Sequence, residues 1–222
     1  MDSRNEPLLP DPHRRLHRAL IEAMLATGVL PGEEELAAAL GAPAEQVRSG
    51  LRALAEADYV SFDAKGRLTC LYPFSVVPTP HVVVIDERRR YAMCSLDALG
   101  VAAMVGRAIT VEGRCGACGT SIHLEVRLGA VGTATPAAAI VVARRAFDAP
   151  ASEVCCPYTV FACGEEHART LVAREPGSEM LPLDVSRDLA EMIFGDFLGE
   201  RLPARRRRSS DVAADHRSTS TS

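Results

Sequence analysis

The sequence predicts an α+β fold in which a winged-helix-like, three-helix N-terminal domain packs on a mixed, mainly antiparallel sheet with flanking helices. Three patterns predict it: helical spacing of apolar residues near the N-terminus, short apolar or alternating runs in the middle, and helical spacing again before the C-terminal tail. Of the 222 residues, 47% are hydrophobic and 24% are charged. This is enough for one large domain or two small ones that share a core.

The first part of the chain predicts three helices and a hairpin. Apolar residues at spacings of three and four indicate an amphipathic helix over residues 13–27, which ends at Gly28. Two shorter helices follow, and then two alternating strands flank a turn that contains Gly66. The predicted bounds are 33–40 and 43–58 for these helices, and 59–62 and 67–70 for the strands.

Three helices followed by a hairpin are typical of a winged helix, which we assign to residues 13–78 after a flexible N-terminus over residues 1–12. Such modules place a recognition helix in the major groove, with basic residues against phosphates. The third helix offers only Arg48 and Arg52 beside three acidic residues, and the whole chain carries a net charge of -4. The sequence therefore favours a domain that covers the rest of the chain over one that binds DNA.

Prolines at 73, 78 and 80 mark a linker, and the second domain is assigned to residues 79–202. An apolar run over 81–85 predicts a buried strand, and residues 94–105 predict a buried helix. Further strands are predicted over 108–112, 121–128, 138–143 and 154–162, and helices over 165–175 and 185–199. Residues 203–222, with an arginine run and a Ser/Thr/Asp-rich end, predict a disordered tail.

The composition also limits where the protein works. Its longest charge-free stretches are interrupted by proline and glycine. Neither contains enough consecutive apolar residues to cross a bilayer, so no membrane partner is expected. The polar N-terminus lacks the pattern of a secretory signal, which predicts a cytoplasmic protein. Seven cysteines in that reducing compartment favour thiol or metal chemistry over disulfides.

The first candidate site lies at the start of the predicted helix over 94–105. Cys94 and Asp97 are three residues apart, so they share a helix face and can meet around one ligand. Unpaired N–H groups at the helix start and three arginines at 88–90 would favour the thiolate. The alternative is that Cys94 is a buried helix residue and Asp97 a first-turn acid favoured by the helix dipole.

A second candidate is a metal site. Cys115 and Cys118, with intervening and following glycines, have the spacing of half a zinc knuckle, and Cys155 with Cys156 would supply the other half. Against this, neighbouring side chains on an extended strand point to opposite faces. A redox dithiol is the other alternative, although no βαβ pattern surrounds the pair. The histidines at 123 and 167 are interpreted as solvated or hydrogen-bonded side chains.

Together these segments resemble the organomercurial (alkylmercury) lyases over residues 13–202. The resemblance covers the three helices and hairpin, the closing helix pair and several short motifs. The motifs are Thr79-Pro80-His81, Arg89-Arg90-Tyr91-Ala92 before Cys94 and Asp97, Cys115 followed by Gly119, and Cys155 seven residues before Ala162 in Val160-Phe161-Ala162.

The resemblance implies a site and its roles. In that family two cysteines and an aspartate cleave the carbon–mercury bond, and by position these roles fall on Cys94, Cys155 and Asp97. The family's further cysteine, regarded as structural, falls on Cys115. Because Cys156 duplicates the second thiol, either member of the pair can face the pocket, and counting back from the Phe-Ala strand favours Cys155.

This chain departs from the family pattern at two other positions. Met93 stands where an aromatic residue is common, and Cys118 adds a C-x-x-C motif.

The activity that the resemblance implies is protonolysis of an organomercurial to a hydrocarbon and Hg(II). Mercury is a soft metal that thiolates bind well, so Cys94 and Cys155 would hold the bound product while Asp97 relays the proton. No other cofactor is required, because the substrate carries its own metal. Small cytosolic thiols or mercuric reductase would take the product. Two rival functions are a mercury- or thiol-responsive transcriptional regulator and a non-catalytic mercury-binding protein.

Overall fold

The computed structural model describes residues 7–146, 149–199 and 202–204. Three helices open the described chain, a series of strands with one central helix follows, and helices alternate with short strands at the end. The helices are α1 (Asp11–Thr27), α2 (Glu33–Leu40), α3 (Ala44–Glu56), α4 (Ser95–Val105), α5 (Ala151–Val154), α6 (Glu165–Arg174) and α7 (Leu183–Phe194).

The strands form two sheets. They are β1 (Val60–Phe62), β2 (Leu68–Leu71), β3 (Phe74–Ser75), β4 (Val82–Ile85), β5 (Arg88–Ala92), β6 (Ile109–Arg114), β7 (Ser121–Arg127), β8 (Ala130–Thr135), β9 (Ile140–Arg144), β10 (Val160–Ala162) and β11 (Ser178–Leu181). The larger sheet has the order β1-β2-β3-β5-β4-β6-β7-β8 and the smaller one β10-β9-β11. Described strands pair antiparallel throughout. The only parallel pairing in the described part is an isolated bridge between Cys115 and Phe161, so the predicted mixed sheet is antiparallel.

Helix α4 is the centre of the molecule. Beyond Ser95 and Asp97 in its first turn it is apolar on all sides, and such a helix is stable only when surrounded by protein. It contacts strands of both sheets and packs closely on α7. Gly100 permits this approach, because a Cβ atom there would come within 2.3 Å of Cδ2 of Phe194. The start of α4 is thereby held in the interior.

Arg90 ties the N-terminal helices to the larger sheet. Its side chain is buried, and its Nε and Nη2 donate hydrogen bonds of 2.6 Å to the carbonyls of Met24 and Leu25. These carbonyls lie in the last turn of α1, where the Met24 carbonyl also accepts the N–H of Gly28, and the arginine adds donors at the helix end. The alternation of β5 therefore includes an inward-facing arginine whose charge is used to cap a helix.

The structure confirms an α+β fold, and it contains the three predicted helices and the β1–β2 hairpin. The likeness to a winged helix and the boundary between residues 78 and 79 stay predictions. Helix α1 begins at Asp11, and Leu8 bridges to Pro203, so part of the segment expected to be flexible is paired. Residues 1–6 and the tail from 205 onward lie outside the described residues.

The predicted strand over 154–162 is wrong in its first part. Residues 151–154 form α5, and a short 3-10 helix over Cys156–Tyr158 precedes β10. Pro157 within this stretch lacks the N–H that an inner strand needs. The predicted strands do not include β3, β5, β8 and β11. β3 has only two residues, and the three consecutive arginines of β5 hide its alternation. Among the described residues, no helix is both long and apolar enough to span a membrane.

Candidate active site

Cys94 and Asp97 meet at the first turn of α4. Cys94 is the N-cap residue of the helix, with extended backbone, and its Sγ accepts a hydrogen bond of 3.4 Å from the backbone N–H of Asp97. The thiol takes the capping place that serine or aspartate usually fills. The Cys94 thiol in turn donates to Oδ2 of Asp97 across 3.0 Å. The spacing of three residues thus brings thiol and carboxylate into direct contact.

Both side chains are withdrawn from solvent, with 4% of Cys94 and 3% of Asp97 exposed. Burial raises the pKa of the Cys94 thiol well above its usual value, and the neighbouring Cys156 and the negative charge of Asp97 raise it further. At neutral pH the thiol therefore keeps its proton. Its nearest acceptor is the carboxylate of Asp97.

The expectation that three arginines favour a Cys94 thiolate is wrong. Arg88 and Arg90 donate to the last carbonyls of α1, and Arg89 pairs with Glu112 at 2.7 Å. The side chains of Arg88 and Arg89 are exposed, and that of Arg90 is buried against the end of α1. None of the three arginines is among the groups that shift the pKa of the Cys94 thiol, and burial, which raises that pKa, has the largest effect.

The two adjacent cysteines after α5 have different surroundings. Cys156 Sγ lies 3.6 Å from Oδ2 of Asp97 and 3.9 Å from the hydroxyl of Tyr72. Cys155 Sγ instead donates to the carbonyl of Ala146 at 3.4 Å. Both side chains are buried, at 8% exposure for Cys155 and 6% for Cys156. Their different directions follow from the change of α5 into a 3-10 helix at this point.

Three side chains therefore form a cluster, which we call the Asp97 cluster: Cys94, Asp97 and Cys156. Their ligand atoms all lie within 4.8 Å of one another. Two thiols suit a soft metal, and a buried carboxylate beside them can accept and return a proton. The cluster can thus combine soft-metal binding with proton transfer.

Backbone hydrogen bonds bring these distant segments together. The N–H of Ser95, at the start of α4, donates to the carbonyl of Thr159 at 3.2 Å, which holds the cysteine turn against the helix. The N–H of Met93 donates to the carbonyl of Pro73 at 3.0 Å, which places Tyr72 nearby. Tyr72 was missed from the sequence, because its only signal is one aromatic residue in a proline-rich linker.

Comparison with known proteins decides the family. The family model described as alkylmercury lyase matches residues 74–195, which is more than half of the chain and includes every member of the Asp97 cluster. The chain belongs to the alkylmercury lyase family. The resemblance inferred from the sequence motifs is thereby confirmed, and so is the prediction of an enzyme.

Individual alkylmercury lyases are similar over most of their length. The protein from Staphylococcus epidermidis is 31% identical over 84% of this chain and 82% of its own. The one from Bacillus cereus is 28% identical over 80% of each chain. Among solved structures, the mercury-bound form of MerB2 has a TM-score of 0.71 at 22% sequence identity, over 86% of this chain and 93% of that one. The last comparison shows a shared fold.

The other predicted residues lie elsewhere. Cys115 and Cys118 do not join Cys155 and Cys156, so the predicted zinc site with that composition is wrong; the described ligand atoms near them come from Cys163 and His167. The sequence did not show that Cys163 and His167 approach Cys115 and Cys118, because the two pairs lie on elements far apart in the chain. The role of Cys155 as second thiol, which the alkylmercury lyase resemblance implies, stays a prediction.

Proposed function

We propose that this protein cleaves the carbon–mercury bond of organomercurials by protonolysis, releasing a hydrocarbon and leaving Hg(II) bound to two cysteines. The observation that carries the proposal is the Asp97 cluster, in which both a Cys94 and a Cys156 sulfur approach one carboxylate oxygen in the interior of an alkylmercury lyase family member. Mercury is the soft metal that such a pair of thiols would bind.

In the first step the Cys94 thiol binds mercury and loses its proton. As Cys94 Sγ bonds to mercury, its proton passes to the Asp97 carboxylate at 3.0 Å, and the ligand that accompanied mercury is displaced. The second thiol then binds mercury and releases its own proton to that displaced ligand. Two sulfur–mercury bonds have formed and one mercury–ligand bond has broken.

Cleavage of the carbon–mercury bond completes the reaction. Two thiolates donate electron density to mercury and make the attached carbon more basic, and the protonated Asp97 gives its proton to that carbon. The bonding electron pair of carbon and mercury becomes the new carbon–hydrogen bond. Asp97 returns to the carboxylate, and no oxidant, reductant or additional metal takes part.

The Cys155–Cys156 pair supplies the second thiol. The family resemblance assigns this role to Cys155, and the distances to Asp97 favour Cys156. We keep the catalytic set as Cys94, Asp97 and one member of this pair, because single substitutions distinguish the two.

The bound product needs ligand exchange to leave. Because thiolates are the ligands that hold mercury, only competing thiols would remove it, whether small cytosolic ones or those of mercuric reductase. This need for competing thiols supports a cytoplasmic location for the protein, because such thiols are abundant in the cytoplasm.

The regulator alternative has little support in the described helices. The two arginines of α3 form ion pairs with acidic neighbours: Arg48 with Glu33 and Glu45, and Arg52 with Glu45. These pairs leave α3 without uncommitted positive charge for DNA phosphates. A non-catalytic mercury-binding protein remains the rival that an experiment must separate.

The deciding experiment measures benzene and Hg(II) released from phenylmercury with excess small thiol. We expect the wild-type chain to release both in equal amounts, and Cys94→Ala to release neither. Mercury binding without release of hydrocarbon from any organomercurial tried would overturn the proposal in favour of the mercury-binding protein.

A further inference from the structure

A second group of potential metal ligands lies outside the Asp97 cluster. We call it the knuckle cluster, and its members are Cys115, Cys118, Cys163 and His167. Their ligand atoms lie within 4.8 Å of one another. The catalytic proposal uses none of the four, so the cluster needs its own explanation.

The first half of the knuckle cluster is a tight turn between β6 and β7. Cys115 is joined to Thr120 by a backbone hydrogen bond of 2.9 Å, and the N–H of Gly119 donates to the carbonyl of Cys115 at 2.8 Å. Gly119 has a φ of 76°, the left-handed conformation that glycine adopts without strain. The reversal lets the Cys115 and Cys118 sulfurs face one point.

The turn is fixed against β10 by main-chain contacts. Cys115 bridges to Phe161, and the N–H of Gly116 donates to the carbonyl of Phe161 at 2.8 Å. A Cβ atom at residue 116 would approach Cγ2 of Val160 to 2.9 Å, so glycine is needed for this contact. The docking brings the turn beside the residues that follow β10.

The second half comes from the connection between β10 and α6. Cys163 directly follows β10, and His167 lies in the first turn of α6. Sγ of Cys163 is 2.9 Å from Nδ1 of His167. Across the two halves, Sγ of Cys118 and Sγ of Cys163 are 3.7 Å apart.

These separations suit a tetrahedral metal ion. Zinc–sulfur bonds of about 2.3 Å at the tetrahedral angle separate two sulfurs by about 3.8 Å, close to the spacing across the two halves. A disulfide would need the sulfurs at about 2.05 Å. The Cys163–His167 contact is a hydrogen-bond distance, and it would open to about 3.5 Å when both atoms bind zinc.

We propose that the knuckle cluster binds one Zn²⁺ ion as a structural site. Three sulfurs and one imidazole nitrogen form a complete tetrahedral set with no position left for a substrate, which is the pattern of structural zinc. The Thr120 hydroxyl lies 3.1 Å from Cys118 Sγ, and the backbone N–H of Thr120 hydrogen-bonds to the same sulfur, which are the positions of outer-shell donors to a zinc thiolate. The ion fastens the β6–β7 turn to the β10–α6 connection, and the site is independent of the lyase proposal.

The test is the metal content of the full-length chain, purified with a reducing agent, incubated with zinc and freed of excess. Mass spectrometry of the elements should find about one zinc per chain in the wild type. Cys118→Ser and Cys163→Ser should each lose at least about nine-tenths of it, and His167→Ala should bind zinc more weakly. Cobalt substitution gives a second readout, because tetrahedral cobalt thiolates absorb visible light.

Two matched variants act as controls. Cys94→Ala removes a thiol of the Asp97 cluster, and His123→Ala removes an exposed histidine of β7; both should retain zinc and the cobalt spectrum. Cys118 is exposed, so its replacement by serine leaves the core intact, which circular dichroism checks.

Three results would overturn the proposal. They are a wild type that binds less than about one-tenth of an equivalent of zinc, equal zinc in wild type and Cys118→Ser, and loss of zinc in Cys94→Ala. Removal of zinc by a chelator should also lower the melting temperature by about 5 °C or more, since a ligand that binds only the folded state stabilises it.

Discussion

The Cys94 thiol and the Asp97 carboxylate lie 3.0 Å apart across the first turn of α4, and both are buried. The sulfur also accepts the backbone N–H of Asp97, so the helix start fixes its position. Because burial keeps the thiol protonated, proton donor and acceptor are already in contact before a substrate arrives. This pair is the basis of the first prediction.

Asp97→Asn should reduce release of hydrocarbon by about 10²- to 10⁴-fold, because an amide cannot carry the proton from sulfur to carbon. Mercury binding should persist, since both cysteines remain. The measurement is benzene from phenylmercury beside bound mercury in the same sample. Asp184→Asn, an exposed residue of α7, is the matched control and should turn over normally. Turnover of Asp97→Asn within tenfold of wild type would contradict the relay.

Single substitutions of the adjacent cysteines should abolish turnover in one variant and preserve it in the other. The 3.6 Å distance from Cys156 to Asp97 predicts that Cys156→Ala loses at least about 100-fold in turnover. If Cys155→Ala is the inactive variant, the turn rearranges when mercury binds, and the role inferred from the family holds. Full activity in both variants would remove the pair from the mechanism.

Gly100→Ala should destabilise the fold, because its Cβ would collide with the ring of Phe194 at 2.3 Å. We expect the free energy of unfolding to fall by about 1–3 kcal/mol, although alanine is the better helix former. Urea unfolding measures the change. Gly132→Ala, where a Cβ meets its neighbours at 3.5 Å or more, is the control and should change little. Equal stability of the two variants would show that α4 and α7 can separate freely.

His17 should make the protein sensitive to acid. Burial lowers its pKa to about 3 from an ordinary value of 6.5, and its ring packs between Tyr59 and Phe197. Neither ring nitrogen has a hydrogen-bond partner among the described residues. Between these pH values the unfolded chain binds a proton that the folded chain does not, so the free energy of unfolding falls as the pH is lowered.

His17→Phe should remove this share of the pH dependence. From pH 6.5 downward the histidine costs about 1.4 kcal/mol per pH unit, or about 2 kcal/mol at pH 5. Urea unfolding at pH 7.5 and pH 5 measures the difference between variant and wild type. His81, whose pKa burial lowers to about 4, acts in the same direction and remains in both proteins. An identical loss of stability in the two proteins would show that His17 does not cause it.

Local patterns in the sequence were sufficient to predict many of the helices and strands of this protein and one contact of its candidate site. The mostly apolar stretch of α4 predicted a buried helix, and the spacing of Cys94 and Asp97 predicted a contact that the helix geometry produces. The alternation along β7 likewise predicted a strand with one buried face. These features succeed because helix and strand periods act between residues close together in the sequence.

Only the tertiary structure decided how the remaining cysteines are grouped. Cys156 approaches Asp97 because a short 3-10 helix replaces the predicted strand, and Cys118 approaches Cys163 because the β6–β7 turn docks on β10. Contacts of this kind join residues about 45 to 60 positions apart. Local periodicity does not encode them, since they depend on the paths of several packed elements. The sequence by itself determined the family and the reactive helix start, and the packing determined which thiols meet there.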